Sequence, residues 1–460
     1  MVDRIGIPAL VAVTAIMAAL LAAPAAAQVT DPSAVFAVPP VPKPRYLHPI
    51  TDPTFDTEVT RIAGNAGTTI PAVDGRWGRD ARQHYSKDEP WSSDQSLILL
   101  QNSGTPSDVY LDGTTYAPVD VGCPGFEDAG YGRWNPSMAH PDERILPHPG
   151  GHSIEWFDVV SCAQTRHFNL PFSFASGSNG PAAGPFTEGN PTPDSRFAAF
   201  AKDRGHVFVI DMDPQPPYDP YPSFRVGPRF DVSHCGLSQC RLDWVSISPS
   251  GSHVVVSYDG NATRVLDVDP DTLALTPHNF PASAHYPGCS GSPDRGFVYE
   301  LGHADLAADS FDSGGDVVIG QEHCDNHGRT IRGTKFGYVV MARLDDGSVT
   351  SLTTPHNEAY PHHISARNLD RPGWVYVSYY RCAGCRFNDE ILAVKMDGSG
   401  DVERLAHSHT AHDACYRCEA HAVPSLDGQR VIWASTWSKQ CDGRCGSISN
   451  PQAYVVEAPP

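Results

Sequence analysis

Positive charge is scarce in this sequence. The chain has 33 lysines and arginines against 53 aspartates and glutamates, a formal net charge of −20 over 460 residues, and no stretch gathers the basic ones into a stripe. Such a surface repels phosphate backbones and anionic membranes, which excludes nucleic acid as a partner. It leaves an anionic ligand only where a locally basic or metal-containing pocket holds it against the overall field. Helical periodicity is missing too: no window keeps apolar residues at three- and four-residue spacing long enough to support an α/β layout. After the first 27 residues there is no apolar run long enough to cross a bilayer. Nothing resembles a serine-hydrolase elbow or a phosphate-cradling P-loop.

What the chain does have is turns and a repeat. Its 40 glycines and 42 prolines suit many short strands joined by tight connections. The clearest copy of the repeat is EAHAVPSLDGQRVIWASTW, Glu419 to Trp437: a histidine, a Pro-Ser-x-Asp-Gly turn, then an apolar run. Degraded copies run from His362 to Tyr380, Gly302 to Gly320, Arg241 to Gly260, Glu188 to Asp203, Tyr131 to Pro149 and His84 to Gly104. They start roughly 45 to 60 residues apart, the span of one four-stranded unit in a propeller or similar array. Seven copies predict an all-β, seven-bladed β-propeller of four-stranded antiparallel blades. An open end would be an aggregation hazard, so the segment from His48 to Arg61 is expected to join the last blade beside Ala453 to Glu457.

The ends and the cysteines bound the compartment. Arg4, the apolar run from Ile5 to Leu21 and the small residues Ala22 to Ala27 read as a secretory signal over residues 1–27. Residues 28–47, rich in Pro, Ala and Val, read as an extended lead-in rather than packed structure, and 48–460 as one propeller domain. The expectation is a secreted or periplasmic monomer, with no membrane association once the signal is removed. Twelve cysteines fit an oxidising compartment. Neighbours are expected to pair as Cys235 with Cys240, Cys382 with Cys385, Cys415 with Cys418 and Cys441 with Cys445, leaving Cys123 with Cys162 and Cys289 with Cys324. The competing reading joins CAGC (382–385) and CYRC (415–418) into a four-thiolate zinc site.

Residues just before each inner strand of a propeller face the mouth of its central funnel. Across the seven copies that position holds His84 and Lys87, Arg133, Glu188, Arg241 with Asp243, His303 with Asp305, His362 with His363, and Glu419 with His421. Closure around an axis would bring His303, His363 and His421 into one pocket. Neutral imidazoles converging beside a carboxylate suit a divalent ion such as Mn, Zn or Ca, or leave one ring free to accept a proton. The bland alternative is that Gly302-His303 with Asp305 is a hydrogen-bonding unit that holds a turn. His323, Cys324, Asp325 and His327 read as a disulfide-anchored loop, and His407, His409 and His412 as a solvated loop rather than a metal-binding tract.

Several stretches, namely TDPTFDTEVTRIA, RQHYSKDEPWSSDQSLILL, GHADLAADSFDSGGDVVIG, HHISARNLDRPGWVYVSYY and RLAHSHT leading into EAHAVPSLDGQRVIWAS, resemble the seven-bladed propeller polysaccharide lyases, the oligogalacturonate lyases and the similarly built ulvan lyases. The resemblance implies β-elimination at a uronic acid in an acidic polysaccharide or oligosaccharide. That chemistry needs a cation or arginine against the carboxylate and a base at the C5 proton. By position it implies His303 and His421 as metal ligands, His363 as the base and Arg241 as the carboxylate partner. The pectin-specific members carry a doubled histidine before the last Pro-Ser turn, where this chain has Glu419-Ala420-His421. A non-catalytic propeller that binds a glycan or a protein is the competing class, and a metal-dependent hydrolase a third.

Overall fold

The computed structural model describes residues 28–458 apart from 122, 124–127, 129, 176–184, 213–224, 312–313, 325–329, 332–333 and 336. The expected signal, residues 1–27, lies outside the described residues. Regular structure among the described residues is β-strand with three short 3-10 turns, and no helix is long and apolar enough to cross a membrane.

Five sheets are four-stranded and antiparallel. In chain order, sheet I begins at Arg133–Trp134, sheet II at Phe197–Asp203, sheet III at Leu242–Ile247, sheet IV at Leu301–Ala308 and sheet V at Pro361–Ser365. The sixth, sheet VI, has nine strands in two groups. One group holds Val423–Pro424, Arg430–Ser435, Gln452–Glu457, Thr57–Arg61 and Ile50–Asp52; the other holds Ala81–Arg82, Leu97–Asn102, Asp108–Asp112 and Pro118–Val119. A single parallel bridge, Ala81 to Gln452, joins them. Within the first group an early strand pairs with the last one, Glu58 opposite Glu457 and Arg61 opposite Tyr454, as the need to cover a sheet edge predicts.

The apolar runs form strands because each is buried on both faces. In His253–Tyr258 of sheet III, Val254 and Val256 pack with Ala199, Val209 and Ile247, whereas Val255 points the other way onto Leu306, Val318 and Val340. The two-residue period of a strand makes one run serve two interfaces. Val317, Ile319 and Met341 likewise meet Ile364, Val375 and Val377, and Tyr376 and Ile391 meet Val431 and Trp433. The core is thus a series of layers between successive sheets. Each valine so enclosed contributes about 1.5–3 kcal/mol.

All six expected disulfides are present, so neither CxxC pair is free to bind zinc as thiolate. Two expectations are corrected. The Pro-rich lead-in is extended but packed: Val41 and Lys43 hydrogen-bond to the Gln440 and Arg444 carbonyls, Val29 accepts from Arg404, and Val38 is buried. Its prolines fix the extended shape, and the Val41 and Lys43 N–H groups find their partners in the connection before the strand Gln452–Glu457. The segment from His407 to His412 is not solvated. His407 and His412 meet the carboxylates of Asp52 and Asp389 at 3.1 Å each, and His409 stacks on Trp437. Buried carboxylates explain those imidazoles without a metal. Of the His323 loop, Asp325 and His327 lie outside the described residues.

Candidate functional site

The first strands of sheets III, IV and V share one irregularity. Their pairing with the second strand slips between Leu242 and Trp244, between Gly302 and Asp305, and between Pro361 and His363. A bulge inserts an unpaired residue and re-aims its side chain, here Asp243, His303 and His362. His303 and, at the matching place in sheet VI, His421 adopt left-handed backbone with φ of 46° and 47°. That conformation is rare for a residue with a Cβ and persists where the surroundings impose it.

The result is a cluster. His303 Nδ1 lies 2.9 Å from His363 Nδ1, and His363 Nε2 lies 3.0 Å from Glu419 Oε2. His421 Nε2 reaches the same Glu419 oxygen at 3.2 Å, and His362 Nε2 stands 3.7 Å from it. The three sequence-predicted histidines are therefore brought together, His363 and His421 on the Glu419 carboxylate and His303 on the far nitrogen of His363. Two ligand triads are available, His303 with His362 and His363, and His363 with Glu419 and His421; within each, the donor atoms lie within 4.8 Å of one another. His363 belongs to both through opposite nitrogens. Asp305, by contrast, makes a two-pronged ion pair with Arg367 at 3.0 Å and so ties sheet IV to sheet V.

Burial keeps the imidazoles neutral. It pushes the His303 pKa down to about 3, with the Lys87 charge adding to the effect, and holds His363 and His421 well below the usual histidine range. After burial, the His421 ring lowers His363 and the Arg82 guanidinium lowers His421. Arg82 gives its Nη1 hydrogens to the Gln83 and His84 carbonyls at 2.9 and 2.8 Å, and the same nitrogen sits 3.3 Å from His421 Nδ1. Burial, then the nearby Arg417, pushes Arg82 down to about 9.

Beside the cluster lies a cavity of about 180 Å³ lined by Arg82, His84, Tyr85, Arg133, Glu188 and Tyr416 among others. Tyr85 packs edge-on against His363 and His421 at 5.4 and 4.8 Å between ring centres, and Tyr416 lies over it at 6.4 Å. His84 holds Asp88 at 2.9 Å and keeps part of its ring exposed. Arg241 is placed elsewhere: its side chain is 57% exposed and faces Asp259 at 3.5 Å. Reading the funnel position alone missed Arg82, Tyr85 and Tyr416. The signal for the first two was RQHYSK, one of the stretches that carry the family resemblance, and Tyr416 sits inside the CYRC disulfide turn.

No family model matches the chain, and no curated protein matches it in sequence. Solved structures do resemble it. An oligogalacturonate lyase in complex with manganese aligns with a TM-score of 0.52 at 13% identity, over 91% of this chain and 98% of its own. The oligogalacturonate lyase of Vibrio parahaemolyticus aligns at 0.53 and 10% identity, over 90% and 96%. The shared fold is a β-propeller. At these identities the likeness is one of architecture.

Proposed function

We propose that this chain is an exported, seven-bladed propeller lyase that cleaves an acidic, uronate-containing oligosaccharide by β-elimination at a divalent metal centre. The blade count treats the two groups of sheet VI, divided at their single bridge, as separate blades beside sheets I to V. The observation that carries the proposal is the convergence of three histidines on Glu419, with His303 behind His363, beside the Arg82-lined cavity. The donors suit such an ion. Ligands about 2.1 Å from a common ion stand about 3.0–3.4 Å apart, and the His363 and His421 nitrogens stand 3.0 and 3.2 Å from Glu419 Oε2. An imidazole-rich set favours Zn over Ca, which prefers oxygen.

In this reading His363, Glu419 and His421 hold the ion, and His303, set against the far nitrogen of His363, fixes that ring. His363 thus becomes a ligand rather than the base expected by position, because its side chain is wholly enclosed and cannot reach a sugar, and His303 becomes its support rather than a ligand. When bound, the ion offsets the uronate carboxylate and so makes the C5 proton removable. Arg82, buried in the cavity wall, supplies positive charge toward that carboxylate in place of Arg241. His84 takes the C5 proton on its ring, Asp88 stabilises the resulting imidazolium, the C4–O bond breaks, and a C4–C5 double bond forms as the leaving sugar gains a proton. Incubation of purified protein with polygalacturonate, ulvan, alginate and glucuronan is expected to give the ultraviolet absorbance of an unsaturated uronate on at least one polymer. Silence on all four, with metal present, would instead mean a glycan- or protein-binding propeller.

A further inference from the structure

Sheet III carries a second group of ligand-type side chains that shares no residue with the cluster at Glu419. His253 and Asp267 stand directly opposite each other on neighbouring strands, and His278 follows the fourth strand, whose Pro277 is paired with Leu266. Cross-strand partners project from the same face; Asp267's own partner on the fourth strand is Thr276, and His278, two residues on, is the diagonal neighbour on that face. His278 Nδ1 lies 2.7 Å from Asp267 Oδ1, and His253 Nε2 lies 3.5 Å from the same oxygen. The imidazole rings are 5.6 Å apart, and the three donor atoms lie within 4.8 Å of one another.

Proton positions turn this geometry into an argument. The second nitrogen of His278 lies 3.0 Å from the Asp345 carbonyl, which can only accept, so Nε2 carries the hydrogen. A neutral His278 then presents its Nδ1 lone pair to a carboxylate oxygen at 2.7 Å, an arrangement of two acceptors that needs a positive charge between them. His253 is held less tightly: its Nδ1 stands 3.7 Å from the buried Asp316 carboxylate, beyond hydrogen-bond distance, and its Nε2 turns to Asp267. Imidazoles whose far nitrogen points at a carbonyl or carboxylate, while the near one meets a carboxylate, are arranged as metal-binding histidines are. Both outer partners, Asp316 and Asp345, belong to the neighbouring sheet IV or to the turn after its third strand.

We propose that His253 Nε2, Asp267 Oδ1 and His278 Nδ1 form a second divalent-cation site, of the zinc class, at the junction of sheets III and IV. Two imidazoles and one carboxylate suit Zn²⁺ or a similar borderline ion. The Asp267 side chain is 44% exposed, which leaves a coordination position open to water. Seated there, the ion links strands of sheet III directly and reaches the turn of sheet IV through the His278 N–H to the Asp345 carbonyl. It serves the junction and takes no part in the elimination.

Chelator-stripped full-length protein titrated with ZnCl₂ tests the site. The wild type is expected to bind one equivalent more than His278→Gln or Asp267→Asn, and His421→Ala is expected to keep that equivalent while losing the one at Glu419. Equal zinc uptake by the wild type and both sheet III variants would overturn the proposal. A zinc-edge anomalous map from soaked wild-type crystals makes the outcome independent of how well any variant folds. Density between the three donor atoms supports the site; none there means that a proton on His278 supplies the missing charge, and the site is rejected. Neither result depends on whether the protein is a lyase.

Discussion

Two sides of the candidate site solve the burial of polar groups differently. Where Lys87 and Asp88, from the second group of sheet VI, meet sheets I to III, the ionisable residues form closed pairs: Lys87 meets Glu188 at 2.5 Å and lies 4.2 Å over the Trp244 ring, while Arg133 meets Asp88 at 3.3 Å and gives further hydrogen bonds to the Gly132, Thr187 and Gly189 carbonyls. On the side of sheet V and the first group of sheet VI, three imidazoles crowd one carboxylate oxygen, and burial holds His363 and His421 well below the usual histidine range. The first side has spent its charges on cohesion. The second keeps neutral lone pairs, which is what a cation requires of its ligands.

The contrast can be broken at either end. The largest effect is expected from Glu419→Ala, which takes away the carboxylate shared by the imidazoles: bound metal should fall below stoichiometry and elimination by about 10³-fold or more. Metal analysis beside the polymer assay checks it, and a variant that keeps both would sink the assignment. Next comes His84→Ala, expected to lower turnover by about 10²–10⁴-fold with the ion still bound. Arg133→Met should act on the other quantity. Removing one partner of a buried ion pair costs about 3–5 kcal/mol, read from urea unfolding, and the metal content should not change.

Acid should separate the two sides as well. The unfolded-state histidine pKa is about 6.5, and the folded value for His303 is near 3, so below pH 6.5 the unfolded chain binds a proton that the folded one refuses. Stability of the metal-free protein is therefore complete above that pH and declines as it falls toward 3, by about 2 kcal/mol at pH 5 for this residue alone. Thermal melts of the stripped protein at pH 7.5 and pH 5 measure it, and a bound ion should flatten the slope. The smallest effect belongs to Arg241→Ala, within about 0.5 kcal/mol in stability because its partner Asp259 is itself well exposed. A tenfold rise in KM in that variant would return Arg241 to the substrate.

Much of this was legible from residue order. The Asp-Gly turns and apolar runs marked strands because a strand enclosed on both faces needs continuous Val and Ile, as in His253–Tyr258. The cysteine pairs followed from proximity and parity. The histidine convergence was readable because a repeated position repeats its orientation. Arg82, Tyr85 and Tyr416 escaped since they meet the cluster through the joining of sheet VI, a contact between residues more than three hundred positions apart. His407 to His412 misled because polarity along the chain says nothing about the carboxylates of Asp52 and Asp389 that await those rings. The separate roles of His303 and His363 depend on which nitrogen faces which neighbour, and no spacing encodes that.

The pairing of Thr57–Arg61 with Gln452–Glu457 also sets a timetable. A nascent chain emerging from a ribosome or a translocon makes all of sheets I to V between these two strands, so the latch stays open throughout their synthesis. Through that interval both free rims can pair with the wrong neighbour, and a holding chaperone would be most useful in the moments before the final strand arrives.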